Sequence, residues 1–145
     1  MKNMFLAWQF WALMSAGFAA LTAIFAKLGV SDIDPDFATF IRTVVIMAVL
    51  AAILTAMGGW RPLGGIAPRT WLFLLLSGLA TGASWICYFR ALKLGDAARV
   101  APLDKMSVLL VAVFAVLFLG EKLTLPNWLG ILLIAAGTVL VAWRA

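Results

Sequence analysis

Apolar residues fall in five long blocks along this chain, and the polar residues gather almost entirely between them. A helix rises about 1.5 Å per residue, so crossing a bilayer takes about 20 predominantly apolar positions. The blocks at 5–27, 36–57, 68–92, 97–119 and 126–143 all meet that length, and each predicts a spanning helix. The first follows Lys2 and superficially resembles a secretion signal, but its apolar run exceeds the roughly 7–15 residues of a signal core. It reads as a retained helix. No connecting stretch is polar enough to form a separate soluble domain, so residues 1–145 read as a single transmembrane domain. The fold class is therefore all-α integral membrane.

Composition agrees. The chain is 66% hydrophobic and 12% charged with mean hydropathy +1.11, against about 45–50% and about 25% in soluble domains. A net charge of +5 would suggest nucleic acid for a soluble protein. In a membrane chain the same Lys and Arg residues sit in loops, set orientation and touch anionic headgroups, so the expected partner is the lipid bilayer. With no His and a single cysteine, Cys87, the chain cannot build a disulfide framework or a His/Cys metal site by itself. No metal or cofactor is expected, and Cys87 reads as an inert buried thiol. There is no acid pair near one site and no nucleophile beside a base, so an enzyme is not expected.

Polar residues inside the blocks carry the functional reading. The fourth block holds adjacent opposite charges, Asp104 and Lys105, and Asp104 lies about 6 Å from the middle of the span. Charge at that depth faces protein or a watery cavity and marks a pathway for ions or substrates. Neighbours on an ideal helix project about 100° apart, so the two are expected to face different partners. A structural ion pair is the competing reading. Pro102 removes a backbone donor just before them, a loosening that membranes tolerate where a cavity or neighbour satisfies the freed groups. Arg42 in the second block either snorkels to the near interface or faces the bundle. In the third block Ser77, Thr81, Ser84 and Tyr88 share one face. With Trp85 they either line a cavity or bond their own backbone. Gly78 and Gly82 form a GxxxG that favours close packing. Gly130, Ala136 and Gly137 read as a packing seam in the last block. Trp8 and Trp11, one turn apart, anchor at the interface or line a cavity. Trp60, Arg61, Arg69 and Trp71 read as interface anchors beside the glycine-rich turn at 58–65. The acids of the 29–36 loop, Asp32, Asp34 and Asp36, read as a solvated helix start.

Five spans put the termini on opposite sides. Lys2, Arg61, Arg69 and Lys122 fall on one side, and Lys27, Arg90, Lys93, Arg99 and Arg144 on the other, joined by Arg42 if it snorkels. That near-tie gives no orientation by the positive-inside rule. Many transporters pair two halves of inverted topology around a mid-membrane site. An antiparallel homodimer of ten helices would restore such a pair.

The run Tyr88-Phe89-Arg90-Ala91-Leu92, then Gly95, Val100-Ala101-Pro102-Leu103, Leu119-Gly120-Glu121, Gly130 and Gly137 resembles the EamA domain of the drug/metabolite transporter superfamily. The resemblance covers all five helices and is strongest over 84–141. Members mostly carry two tandem five-helix repeats, and this chain is similar to one repeat alone. The resemblance implies a bacterial inner-membrane exporter or permease for metabolites, amino acids or drugs, working by alternating access. It also implies that Gly120-Glu121 shapes a helix end. Two departures stand out. Asp104-Lys105 is more charged than is usual in tandem-repeat exporters, and no acid occurs between Met1 and Ser31, where small multidrug resistance relatives carry their coupling glutamate. If protons drive this chain, Asp104 is the acid placed to bind them. Asp104 and Lys105 would form the polar centre, with Arg42, Ser84, Thr81, Trp85, Tyr88 and Trp11 along the path. A lipid-carrier flippase and a structural membrane subunit are the alternatives.

Overall fold

The structure, a computed structural model, describes residues 8–143. Lys2, the start of the first block at Phe5, and Arg144 lie outside the described residues. The five expected spans are all helical, and no strand occurs among the described residues. Helix α1 is Trp8–Gly29, α2 is Pro35–Ala56 and α3 is Pro68–Leu94. The fourth span, Ala97–Leu119, is interrupted. It consists of α4 (Ala97–Asp104), a turn, α5 (Ser107–Phe114) and a wider π-helical turn at Ala115–Leu119. Helix α6, Leu125–Ala142, completes the set.

The contacts divide the chain into two compact units. One runs from Phe25 to Lys93; the other comprises the residues up to 24 and from 94 onward.

Within the 25–93 unit, the tightest packing lies where the end of α1, the start of α2 and the end of α3 meet. Leu92 (0% exposed) and Val30 (1%) are its most buried side chains, joined by Phe89, Ala26 and Ala38. The helix starts there are written locally. Asp34 caps α2, its carboxylate accepting the backbone N–H groups of Asp36 and Phe37 at 3.0 Å each, with Pro35 in the first turn. Those amides have no helical partner of their own, which is why a cap stabilises. The other end of α2 closes through Gly58 at φ +60.

In the other unit, α6 packs against α4 and α5. Ala112, Ala115, Ala135 and Thr138 are buried there. The Thr138 hydroxyl donates to its own helix at Ala135 O (2.8 Å), with the Met106 sulfur at 2.9 Å. The packing seam expected at Gly130 and Gly137 is not used within this unit. No atom stands within 4 Å of a Cβ built at either, and α6 turns Ala135 and Thr138 inward instead. The GxxxG of α3 behaves alike: Gly78 and Gly82 have open space beside them within their own unit.

Most apolar surface is left uncovered. In each span's most apolar window no more than 11% of residues are buried. Apolar area of this extent has no stable place in water. Lipid or other membrane helices must cover it.

Candidate functional site

Two clusters of charge lie inside spans, one in each unit. The first is built on α2 and α3. Trp85 and Phe89 are four residues apart on α3, so their rings line up along one face. Arg42, about 10 Å from the start of α2 at 1.5 Å per residue, reaches across to them. Its guanidinium carbon stands 4.1 Å from the Trp85 ring centroid and 5.5 Å from that of Phe89. Both distances fall inside the roughly 6 Å range of cation–π attraction. The Arg42 side chain lies half-buried on these aromatic faces of the neighbouring helix. No carboxylate pairs with it among the described residues.

Beyond Trp85 the same two helices open into a cleft of about 340 Å³. Ile46, Met47, Leu50 and Leu54 line it from α2, Trp85 from α3, and Trp60 from the loop between them. The spacing 46, 50, 54 continues the face that begins at Arg42. Thr43 is the polar residue of the wall apart from the Trp indoles, and its hydroxyl donates back to Thr39 O at 2.8 Å. The Trp60 indole N–H is satisfied by Thr55 Oγ1 at 3.1 Å. The cleft is therefore apolar, and Arg42 stands next to it on the Trp85 ring rather than in its wall.

At the α2-start end of this unit three cations are engaged. Arg90 grips Asp36 with two hydrogen bonds, Nε to Oδ1 at 2.8 Å and Nη2 to Oδ2 at 2.5 Å. Asp36 is thus not merely a solvated cap, as the sequence suggested. Lys27, in the last turn of α1, donates to Leu92 O in the last turn of α3 at 2.7 Å. Lys93 returns the arrangement, its ammonium donating to Val30 O (2.8 Å), Ser31 O (2.5 Å) and Ile33 O (3.3 Å). Carbonyls at helix ends lack helical donors and carry negative partial charge, so lysines satisfy them well. No local pattern marks this cross-capping, because its partners stand 60 to 65 positions apart in the chain.

The second cluster is Asp104 and Lys105. The expectation that they face different partners is overturned: Lys105 Nζ donates to Asp104 Oδ2 at 3.1 Å. The reason is local. The i,i+1 argument assumes continuous helix, whereas here the backbone tightens into i→i+3 bonds, Lys105 N to Pro102 O (2.9 Å) and Met106 N to Leu103 O (3.0 Å). Lys105 has ψ −2. In a turn of this kind adjacent side chains come together. Both groups are accessible rather than buried, with side-chain exposures of 54% and 37% for Lys105 and Asp104.

The remaining candidates are plainly placed. Thr81 donates to Ser77 O at 2.8 Å, so this hydroxyl serves its own helix. Ser84 is exposed and Tyr88 half-buried, its ring edge-on to Phe89 at 6.4 Å between centroids. Trp11 is 60% exposed and meets Phe10 edge to face at 5.5 Å. Cys87, expected buried, is exposed. Gly120 takes a left-handed φ of +68, and Glu121 N reaches back to Ala115 O at 3.2 Å to close the π turn. No group of acids and cysteine capable of holding a metal occurs among the described residues.

Five apolar spans, charge well inside two of them at Arg42 and at Asp104 with Lys105, and the motif residues at 88–137 converge on one match, which extends over residues 6–143. The chain belongs to the EamA-like transporter family. A protein from Sinorhizobium sp. described as "Uncharacterized transporter in cobO 3'region" is 70% identical over 136 residues, covering 94% of this chain and 96% of that one. No solved structure matches significantly. Family and relative together point to a multi-pass membrane transporter rather than an enzyme. For an EamA-like chain the interrupted fourth span and the Arg42 cleft are the features with chemistry to offer.

Proposed function

We propose that the chain is a secondary transporter that moves small metabolites or amphiphilic compounds by alternating access across the bacterial inner membrane. The carrying observation is the break in the fourth span, where Asp104 and Lys105 meet in a turn between α4 and α5. Transporters place coupling ions and substrates near mid-membrane, where discontinuous helices expose charge and backbone. A proton taken up by Asp104 cancels its attraction for Lys105, so protonation and ion pairing compete at one carboxylate. That competition couples a proton to a change in the turn. Pro102 and the π turn at Ala115–Leu119 give the span two weak points about which it can bend.

The chain supplies five helices, and a second copy in antiparallel orientation would supply the inverted half, as a single-repeat member of the drug/metabolite transporter superfamily requires. The near-equal division of Lys and Arg between the loops supports this. So does the uncovered apolar surface of every span. Arg42, Trp85 and Tyr88 are the proposed substrate contacts, with Ser84, Thr81 and Trp11 on more exposed faces.

The test is flux into proteoliposomes over a panel of metabolites, with and without a pH gradient, for the wild type and Asp104→Asn. Gradient-driven flux in the wild type, lost in a variant that elutes as the folded species, is expected. Equal flux in both would remove Asp104 from coupling and leave the pair a structural one.

A further inference from the structure

We infer that the 25–93 unit holds a binding site for an anionic amphiphile, with the carboxylate or phosphate on Arg42 and the apolar body in the cleft between Trp85 and Trp60. The inference rests on the transport reading for its purpose but not for its geometry.

Three observations carry it. Arg42 lies about 10 Å into a spanning helix, half-buried, with its guanidinium against two aromatic rings and no carboxylate beside it. Ring faces attract a cation but do not satisfy its N–H donors. A guanidinium presents five of them in a planar fork that matches the two oxygens of a carboxylate or phosphate. Arg69, over the Phe73 ring at 5.8 Å, lies exposed in the first turn of α3, and the other cations of this unit's helix ends have polar partners. Arg90 has Asp36, and Lys27 and Lys93 have carbonyls. The fork left open inside the span is the one beside the cleft.

The second observation is continuity. Trp85 is shared: Arg42 stacks on its ring, and the same side chain walls the cleft. From Arg42 the face runs through Ile46 and Leu50 to Leu54, about 18 Å along α2. An extended chain of about that length therefore lies along the wall with its head at Arg42. The cleft's volume of about 340 Å³ falls at the small end of the usual ligand range of roughly 300–1,000 Å³.

The third is chemical exclusion. A wall of Ile, Met, Leu, Ala and Trp, with the Thr43 hydroxyl and the Trp60 indole already bonded internally (to Thr39 and Thr55), offers little to a sugar or a polar amino acid body. A cationic amphiphile would meet Arg42 as a like charge. Anion and apolar body are both specified.

Equilibrium binding to the full-length protein in phosphatidylcholine nanodiscs, with empty nanodiscs subtracted, tests this with four probes: decanoate, decyl phosphate, decanol and decyltrimethylammonium. The two anions are expected to bind roughly 10- to 100-fold more tightly than the cation, the range that one charge-assisted contact confers. Arg42→Gln should remove that preference while leaving decanol binding unchanged, and Arg42→Lys should retain part of it. Arg61→Gln, in the loop, should change nothing, which separates the site from general attraction to a +5 protein. Cation and anion binding equally to the wild type would overturn the inference even if every Arg42 variant failed to fold. So would anion preference that survives in folded Arg42→Gln.

Adding phosphatidate to the nanodiscs separates the two sources of the anion. Displacement of decanoate identifies a bilayer lipid headgroup, and its persistence identifies a water-borne anion; either result upholds the oxyanion site. Flux distinguishes this inference from the transport reading. Anion-selective binding without any flux would end the transport reading and leave the site standing, whereas flux of cations alone would do the reverse.

Discussion

Leu92, Lys93 and Leu94 follow one another in the chain and have unlike fates, which only their surroundings explain. Leu92 is fully buried, while Leu94 is 88% exposed. The Lys93 ammonium between them is bonded to three carbonyls. Truncating Leu92 to Ala leaves a cavity that the packed ends of α1 and α3 cannot close, so a loss of about 2–5 kcal/mol is expected. Leu94→Ala should lie within about 0.5 kcal/mol of the wild type. Thermal unfolding in one detergent, followed by circular dichroism, compares them directly. Similar losses from both would show that the end of α3 is not packed as described. Among the charged residues, Arg42, Asp104 and Lys105 stood out in the sequence because charge is costly inside an apolar block. Their partners did not. Arg42 finds aromatic rings on another helix, and Asp104 finds its own neighbour. The Asp36–Arg90 pair spans 54 positions, a distance over which no local pattern speaks.

At the scale of elements, the span ends that fall among the described residues were legible to within about two residues because length and apolarity alone decide whether a segment crosses lipid. The fourth-span boundaries, 97–119, coincide with the helix seen. Its interior was less legible. Proline predicts a weakened helix, but whether the chain bends, kinks or turns there depends on what replaces the missing bond. Here i→i+3 bonds do, and α4 and α5 become separate short helices. The Gly120 end was readable from the family motif, and its left-handed φ of +68 gives the physical reason. A Cβ meets no atom there, so the strain of Gly120→Ala is purely conformational, about 1–2 kcal/mol. Gly130→Ala, in the open middle of α6, should instead stabilise by up to about 1 kcal/mol. Unfolding midpoints moving in opposite directions would confirm that the two glycines have different duties. A loss at Gly130 as large as that at Gly120 would mean that another helix packs closely on that face.

For the whole molecule, the balance of charge is the property to test. Near-equal Lys and Arg on the two sets of loops gives the insertion machinery little to choose between. A reporter at the C-terminus, active only on one side of the membrane, should therefore give signal from both orientations, and two added lysines in one loop should shift it to a single side. One fixed orientation of the wild type in all molecules would rule out the antiparallel homodimer. The sequence by itself determined that this chain lives in a membrane, how many times it crosses, which family it belongs to and where its in-span charges lie. The spans and their charges follow from local composition, since the bilayer imposes one length and one polarity on every crossing segment, whereas the family is carried by the motif residues at 88–137. Only the tertiary structure decided what those charges touch. It placed Arg42 on Trp85 beside an apolar cleft, closed Asp104 on Lys105 in a turn, and locked α1 to α3 through reciprocal lysines. The pairings between helices depend on the rotation of each helix about its axis, and lipid, being equally apolar on all sides, leaves no polar–apolar boundary in the sequence from which that rotation could be read.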